Sequence, residues 1–299
     1  MANSLTSLTP TMIADTFIPA LRLSLLPINA ISTDIREDPL DQGDVVNVPL
    51  MGSRTATTYS TTYETGDSTV TSTACTVTNS MASWYVSPAE ANYGPGRFLA
   101  QGVDCVKSVG YAVIQALIEL YTEANVGSGA SYEINTSAAN FDSDDVADAL
   151  ALANALDVEE ASLLLLPAFY GALRKDNAIH YADAYGSDVV IRTGKIPTVH
   201  GCPTHQVAAM ATTPASENTT GLLIPKQSAA IVLSPFGGKF PDLENAAGVR
   251  TETIVDEESG LALTYRQWIN SASGYVWGSV VVSYGVGYGQ DGAIRIATA

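Results

Sequence analysis

Few residue groups in this chain have types and spacing suited to chemistry. Gly287-Tyr-Gly289-Gln-Asp-Gly292 spells G-x-G-x-x-G, the pattern that lays a dinucleotide pyrophosphate on a helix N-terminus. That mechanism needs a crossover helix after the last glycine, and only seven residues follow Gly292. The segment therefore reads as a turn between terminal strands. His200-Gly-Cys202-Pro-Thr-His205 gathers three soft or borderline ligands in six residues, with His180 a fourth only through folding. Closed zinc sites take four ligands at characteristic pair spacings, so a turn about Gly201 and Pro203 is the better reading. Asp142, Asp144, Asp145 and Asp148 resemble part of a calcium loop, but Ala147 and Ala153 stand where that loop needs Gly and Glu. Acids in a first helical turn, which cap N–H groups and suit the macrodipole, explain them. No G-x-S-x-G and no Walker A sequence occurs, and no local signature pairs a serine with His180, His200 or His205. The sequence assigns no catalytic residue, no cofactor-binding residue, no metal ligand and no cofactor, and an enzyme is not expected.

Composition narrows the classes further. The 299 residues carry 14 Lys and Arg against 31 Asp and Glu, a net charge of −17, and only 15% are charged while 46% are hydrophobic. A core can be buried, and disorder or a coiled coil is excluded. Gripping nucleic acid through a basic patch is excluded as well, since phosphate contacts need clustered Lys and Arg. Met1–Met12 lacks the basic and apolar regions of a signal peptide. No window of 18 apolar residues offers a membrane span. Cys75, Cys105 and Cys202 are odd in number and far apart, as expected of reduced thiols rather than a disulfide framework.

The elements that must position these residues fall in a definite order. Residues 1–42 read as an arm, with a short helix bearing Ile13, Phe17, Ile18 and Leu21 and interrupted by Pro19 and Pro27. Residues 43–86 read as a long polar β-hairpin with Gly66-Asp67 near its tip. Between Gly52 and Ser80, 16 of 29 residues are Ser or Thr, so its own apolar surface does not offset the entropy of ordering it. Leu99, Val103, Val106, Gly110, Val113, Leu117, Leu120 and Ala124 repeat at alternating spacings of four and three, which predicts a helix over 97–124, about 42 Å long. Residues 131–221 read as mixed helix and strand. A helix follows Asp142, Ser162–Leu166 is a buried strand, a short helix starts at Pro167, and strands follow near Val189–Arg192 and Val207–Met210. Residues 222–299 return to strands, with Val249–Val255 and Leu261–Trp268 joined by Asp256-Glu-Glu-Ser-Gly260 as a hairpin.

This order resembles the major capsid protein of tailed bacteriophages, the HK97-like fold, in layout across nearly the whole chain. Phe141–Asn177, with Leu163-Leu-Leu-Leu-Pro167, is similar to that family's helix, strand, Pro, helix passage; Thr193–Pro203 is similar to its G-x-I-P-x-x-x-G passage through Gly194, Ile196 and Gly201. Leu222–Leu233 resembles the apolar return toward the peripheral domain, and Gly260–Gly289, with Val281–Val286, the closing strands. The resemblance implies an α+β fold divided as 1–42 N-terminal arm, 43–86 extended hairpin (E-loop), 87–130 spine helix of the peripheral domain, 131–221 axial domain, and 222–299 returning peripheral strands. It implies self-assembly into pentamers and hexamers of an icosahedral shell around double-stranded DNA, without sequence-specific binding. The implied partners are a portal protein, a scaffolding protein and cement or decoration proteins, with no membrane. The implied location is the virion, assembled in the bacterial host cytoplasm. The namesake's lysine–asparagine crosslink is not expected, because the first lysine is Lys107 and Arg54 is the lone basic residue of 43–86. An encapsulin-like compartment shell stays open as the alternative, and behind it a hydrolase using one of the histidines.

Overall fold

The structure, a computed structural model, describes residues 10–35, 39–51, 70–87, 90, 95–158, 160–180, 190, 193–208, 210, 217–236, 249–256, 261–270 and 272–298. In chain order, helix α1 (Pro10–Ser24) and a 3-10 turn (Leu26–Ala30) lead into β1 (Ser32–Ile35), β2 (Val45–Met51) and β3 (Val70–Val86). Helices α2 (Pro95–Ile118) and α3 (Glu123–Val126) follow, then β4 (Glu133–Asn135), α4 (Ser143–Ala155), β5 (Ala161–Leu165), α5 (Pro167–Leu173) and α6 (Asn177–His180). The chain continues through β6 (Thr198–Val199), β7 (Cys202–Gln206), β8 (Thr219–Pro225) and β9 (Ala229–Ser234). It closes with β10 (Arg250–Val255), β11 (Ala262–Ile269), β12 (Val276–Tyr288) and β13 (Ile294–Ala297). The fold class is α+β.

Two sheets organise these elements. In the first, β12 is the shared strand. It pairs antiparallel with β3 over eleven residue pairs, from Val276↔Val86 to Val286↔Thr76. On its other side its first half pairs with β11 and its second half with β9. Strand β10 extends the sheet beyond β11, and β1 lies parallel to β9. The second sheet runs β4-β13-β8-β5-β7-β6. The chain therefore crosses between sheets at β8 to β9 and back at β12 to β13, and the boundary expected between residues 221 and 222 falls inside β8.

One face of the first sheet holds the largest core. Helix α2 lays Phe98, Val106, Val109, Val113, Ile114, Leu117 and Ile118 there, as its apolar spacing requires. The helix stops at Ile118, short of the expected 124. Tyr121 is fully buried and hydrogen-bonded to Ser228 Oγ at 2.7 Å, and Tyr121 N–H donates to Ile118 O in a tightened last turn. One expectation about the arm is corrected. Pro19 lies within α1 without ending it, because Ile13, Phe17, Ile18 and Leu21 are buried on both sides of it and that packing outweighs the lost N–H. The arm lies on the rest of the fold, and Ile28 and Ile31 join the same core.

The hairpin needs a similar correction. Strands β2 and β3 pair from Val45↔Thr76 to Met51↔Val70, but their base is part of the fold. Val46, Val48, Leu50, Cys75 and Val77 bury against Ala230 and Val232 on the opposite face of the first sheet. Its expected tip at Gly66-Asp67 lies outside the described residues. The second core packs Val146, Ala149 and Ala153 of α4 and Phe169 and Leu173 of α5 on Leu163, Leu165, Leu223, Ile294 and Ile296. Here the strand expected at Val207–Met210 is instead Cys202–Gln206, whose Thr204–Gln206 pairs parallel with β5. Most of Val189–Arg192 lies outside the described residues.

Candidate assembly surface

Several of the residues singled out for their chemistry serve structure, and the side chain of His180 lies outside what is described. Tyr288 ends β12, Gly289 N–H donates to Ser228 O at 2.8 Å, and Gly292 has φ +125°. A Cβ on Gly289 would lie 2.4 Å from Gln227 O, and one on Gly287 would lie 2.4 Å from Thr73 Cγ2. These glycines permit close strand packing and a turn into β13, with no helix behind them. Asp142 caps α4: its side chain accepts from the N–H groups of Asp144 and Asp145, while Asp145 accepts from Asp142 N–H. Burial raises the Asp145 pKa. Burial would also raise Asp176, but hydrogen bonds from Ser143 and Ala178 together outweigh it and hold that carboxyl below the usual range.

The histidine–cysteine segment does not converge. His200 Nε2 lies 3.0 Å from Ser143 O, Cys202 is buried in the second core, and His205 lines a groove elsewhere. Among the described residues no group of three or more His, Cys, Asp or Glu could hold a metal ion, and Cys75, Cys105 and Cys202 form no disulfide. Burial raises the Cys202 thiol and lowers His205. Neither environment activates a nucleophile.

That groove, about 500 Å³, is bordered by Leu23, Leu26, Tyr111, Tyr170, Lys195 and His205, between the end of α1, α2 and the second sheet. Leu23 is 62% exposed and Tyr111 49%, so apolar surface continues onto the rim. Its described lining carries no carboxylate.

A second apolar surface lies on the sheet face opposite α2, where strand alternation places Met81 and Tyr85 outward. Met81 is 66% exposed. Tyr85 stacks on Tyr275 with centroids 5.3 Å apart and leans on Trp277 at 5.0 Å; Trp277 in turn stacks on Trp268 at 5.9 Å. Four rings from β3, β11, β12 and the turn before β12 make a ladder that sequence reasoning missed. Tyr85 and Tyr275 are 190 positions apart, and only the β3–β12 register joins them.

The third feature is Arg295, 1% exposed on β13 of the second sheet. It pairs with Glu133 of β4 at 3.3 Å and with Glu217 just before β8 at 3.0 Å, and donates to Thr219 Oγ1 at 3.1 Å. One guanidinium thus ties three strands' ends together. No helix among the described residues is long and apolar enough to cross a membrane.

No protein-family model matches the chain, and no curated protein matches it. Solved structures do. A chain from Gordonia phage Cozz matches with TM-score 0.54 at 11% identity, covering 92% of this chain and 86% of its own. One from the asymmetric unit of the bacteriophage PhiM1 mature capsid matches with TM-score 0.52 at 12% identity, covering 90% and 86%. The chain has the fold of a phage capsid protein. One from the capsid of Ralstonia phage GP4 gives the same TM-score at 11% identity, over 89% and 86%. At such identities the likeness carries the fold and no single residue.

Proposed function

We propose that this chain is the major capsid protein of a tailed bacteriophage, a structural subunit that assembles with itself into an icosahedral shell around double-stranded DNA. The observation that carries this reading is the agreement with capsid structures over about nine-tenths of the chain. In this reading α2 is the spine helix and β2–β3 the base of the extended hairpin. The sheet around β12 is the peripheral domain, and the sheet around β8 and β13 the axial domain. Pentamers and hexamers form through the exposed apolar faces, and portal, scaffolding and cement proteins complete the particle. Charge supports a container role, since a net charge of −17 repels packed DNA rather than gripping it. The test is electron microscopy of the purified chain with size exclusion. Closed shells of megadalton mass are expected. A monodisperse monomer that no change of salt or concentration assembles would overturn the reading.

A further inference from the structure

Strand β3 carries an unfilled place in its sheet. It is uncharged along all 17 residues, and β2 covers its outer side only as far as Thr76. At Val77 the turn before β2 closes the ladder: Val77 N–H donates to Asp44 O at 2.8 Å and Val77 O accepts from Gly43 N–H at 2.9 Å. Backbone groups of an antiparallel strand alternate in the side they face, and the β3–β12 register has no bulge from Thr76 to Val86. Asn79, Met81, Ser83 and Tyr85 therefore turn N–H and C=O to the open side, and no described residue pairs with them there. Residues 78–86 leave a slot about 30 Å long. Their outward side chains are the 66% exposed Met81 and the Tyr85 of the ring ladder.

Every other outer edge among the described strands is blunted in a way natural sheets use against pairing. Strand β10 carries an Arg250–Glu252 ion pair, β2 contains Pro49, β1 spans four residues, β4 spans three with Glu133, and β6 spans two. Two copies, each bearing −17, meet with least repulsion where neither brings a charge. The one long neutral edge is β3, so the edge that fits it is its own copy.

Resting on the shell reading, we propose that residues 78–86 of two subunits pair antiparallel across a two-fold axis, joining their first sheets into one. The register that uses the whole edge sets Ala82 opposite Ala82 of the second copy, Met81 opposite Ser83, and Asn79 opposite Tyr85. All eight outward backbone groups of residues 79, 81, 83 and 85 in each copy are then satisfied. An icosahedral shell contains two-fold axes between neighbouring capsomers, so an isologous contact has a place in it.

The test is Ala82→Cys in the full-length chain, assembled and then mildly oxidised. Facing residues of a non-hydrogen-bonded pair sit about 4.5 Å apart at Cα, within disulfide reach, and the native thiols are buried or half-buried. A reducible dimer at twice 31.3 kDa is expected. Ala74→Cys, where the outer side of β3 is already covered by Asn47 of β2, should give none. Adding Ser83→Pro removes one outward N–H and should cut dimer yield about tenfold, whereas Ser83→Ala should not. Shells without the dimer would overturn the strand pairing alone. If no shells form, the shell reading fails, and the pairing is decided by whether concentrated soluble protein still gives the dimer.

Discussion

Arg295 shows what a single buried charge does in this fold. Strand β4 is held to the second sheet only through β13, and Arg295 adds the ion pair to Glu133 across that seam. Removing one member of a buried ionic group leaves the others without a counter-charge, at about 3 kcal/mol or more. Arg295→Met should cost that much in urea denaturation, and adding Glu133→Gln with Glu217→Gln should restore most of it. A loss under about 1 kcal/mol would mean that water, not Arg295, balances the two carboxylates. His205 acts through pH. Burial holds it below its ordinary 6.5, so as pH falls the unfolded chain takes up the proton first. Stability is then full above about pH 6.5 and falls as pH drops toward the folded value. Lys195, Tyr111 and Tyr170 share its groove and bring no carboxylate to offset this. Thermal midpoints of His205→Gln should fall less than wild type between about pH 7.5 and about pH 5.5; parallel curves would contradict the assignment.

Among the elements, the α1–α2 contact rests on absent side chains. A Cβ on Gly110 would stand within bonding distance of Ser24 Oγ and 2.6 Å from Ser24 Cβ. Gly110→Ala should therefore destabilise by about 1–3 kcal/mol through overpacking. Ser24→Gly in the same chain should recover part of that, and a double variant no more stable than Gly110→Ala would refute this account. Hairpin and fold separate at Met51↔Val70, the last described pair. Replacing Met51–Val70 with Asn-Gly, a two-residue loop that closes on the hydrogen-bonded pair Leu50↔Thr71, should keep the denaturation midpoint within about 1 kcal/mol. Shells should be lost, and normal shells would show that the hairpin does not carry assembly.

What could be read in advance follows the range of each interaction. The Asp142 cap, the Pro167 start of α5 and the stripe of α2 depend on neighbours within a few residues, and all are present. The continuation of α1 through Pro19 was hidden because Pro19 is a local signal, whereas the contact of Phe17 with Trp84 and Tyr265 that holds the helix is tertiary. Strand β7 was hidden because Pro203 and His205 are poor strand formers, and pairing with β5 overrides that. The candidate surface was the least legible part. The ring ladder and the open β3 edge exist only once β12 sets their register.

For the whole molecule the governing quantity is charge. Two copies of the chain, each at −17, repel at close range, and salt shortens the screening length to about 8 Å at 0.15 M. Light scattering should therefore rise from low to moderate salt. A steady fall would mean that attractive ion pairs between subunits dominate.

The placing of β12 also sets a timetable. Strands β3, β9 and β11 all dock on residues 276–288, and the second sheet gains β4 only through residues 295–297. While the ribosome is still making the first 275 residues, it extrudes strands whose common partner has not yet been synthesised. Neither sheet can close in passing, and long-range pairing of this kind is slow and leaves edges exposed to aggregation. The nascent chain cannot complete its first sheet before residues 276–288 are made. A translation pause just before these residues should therefore trap it more readily than one just after them.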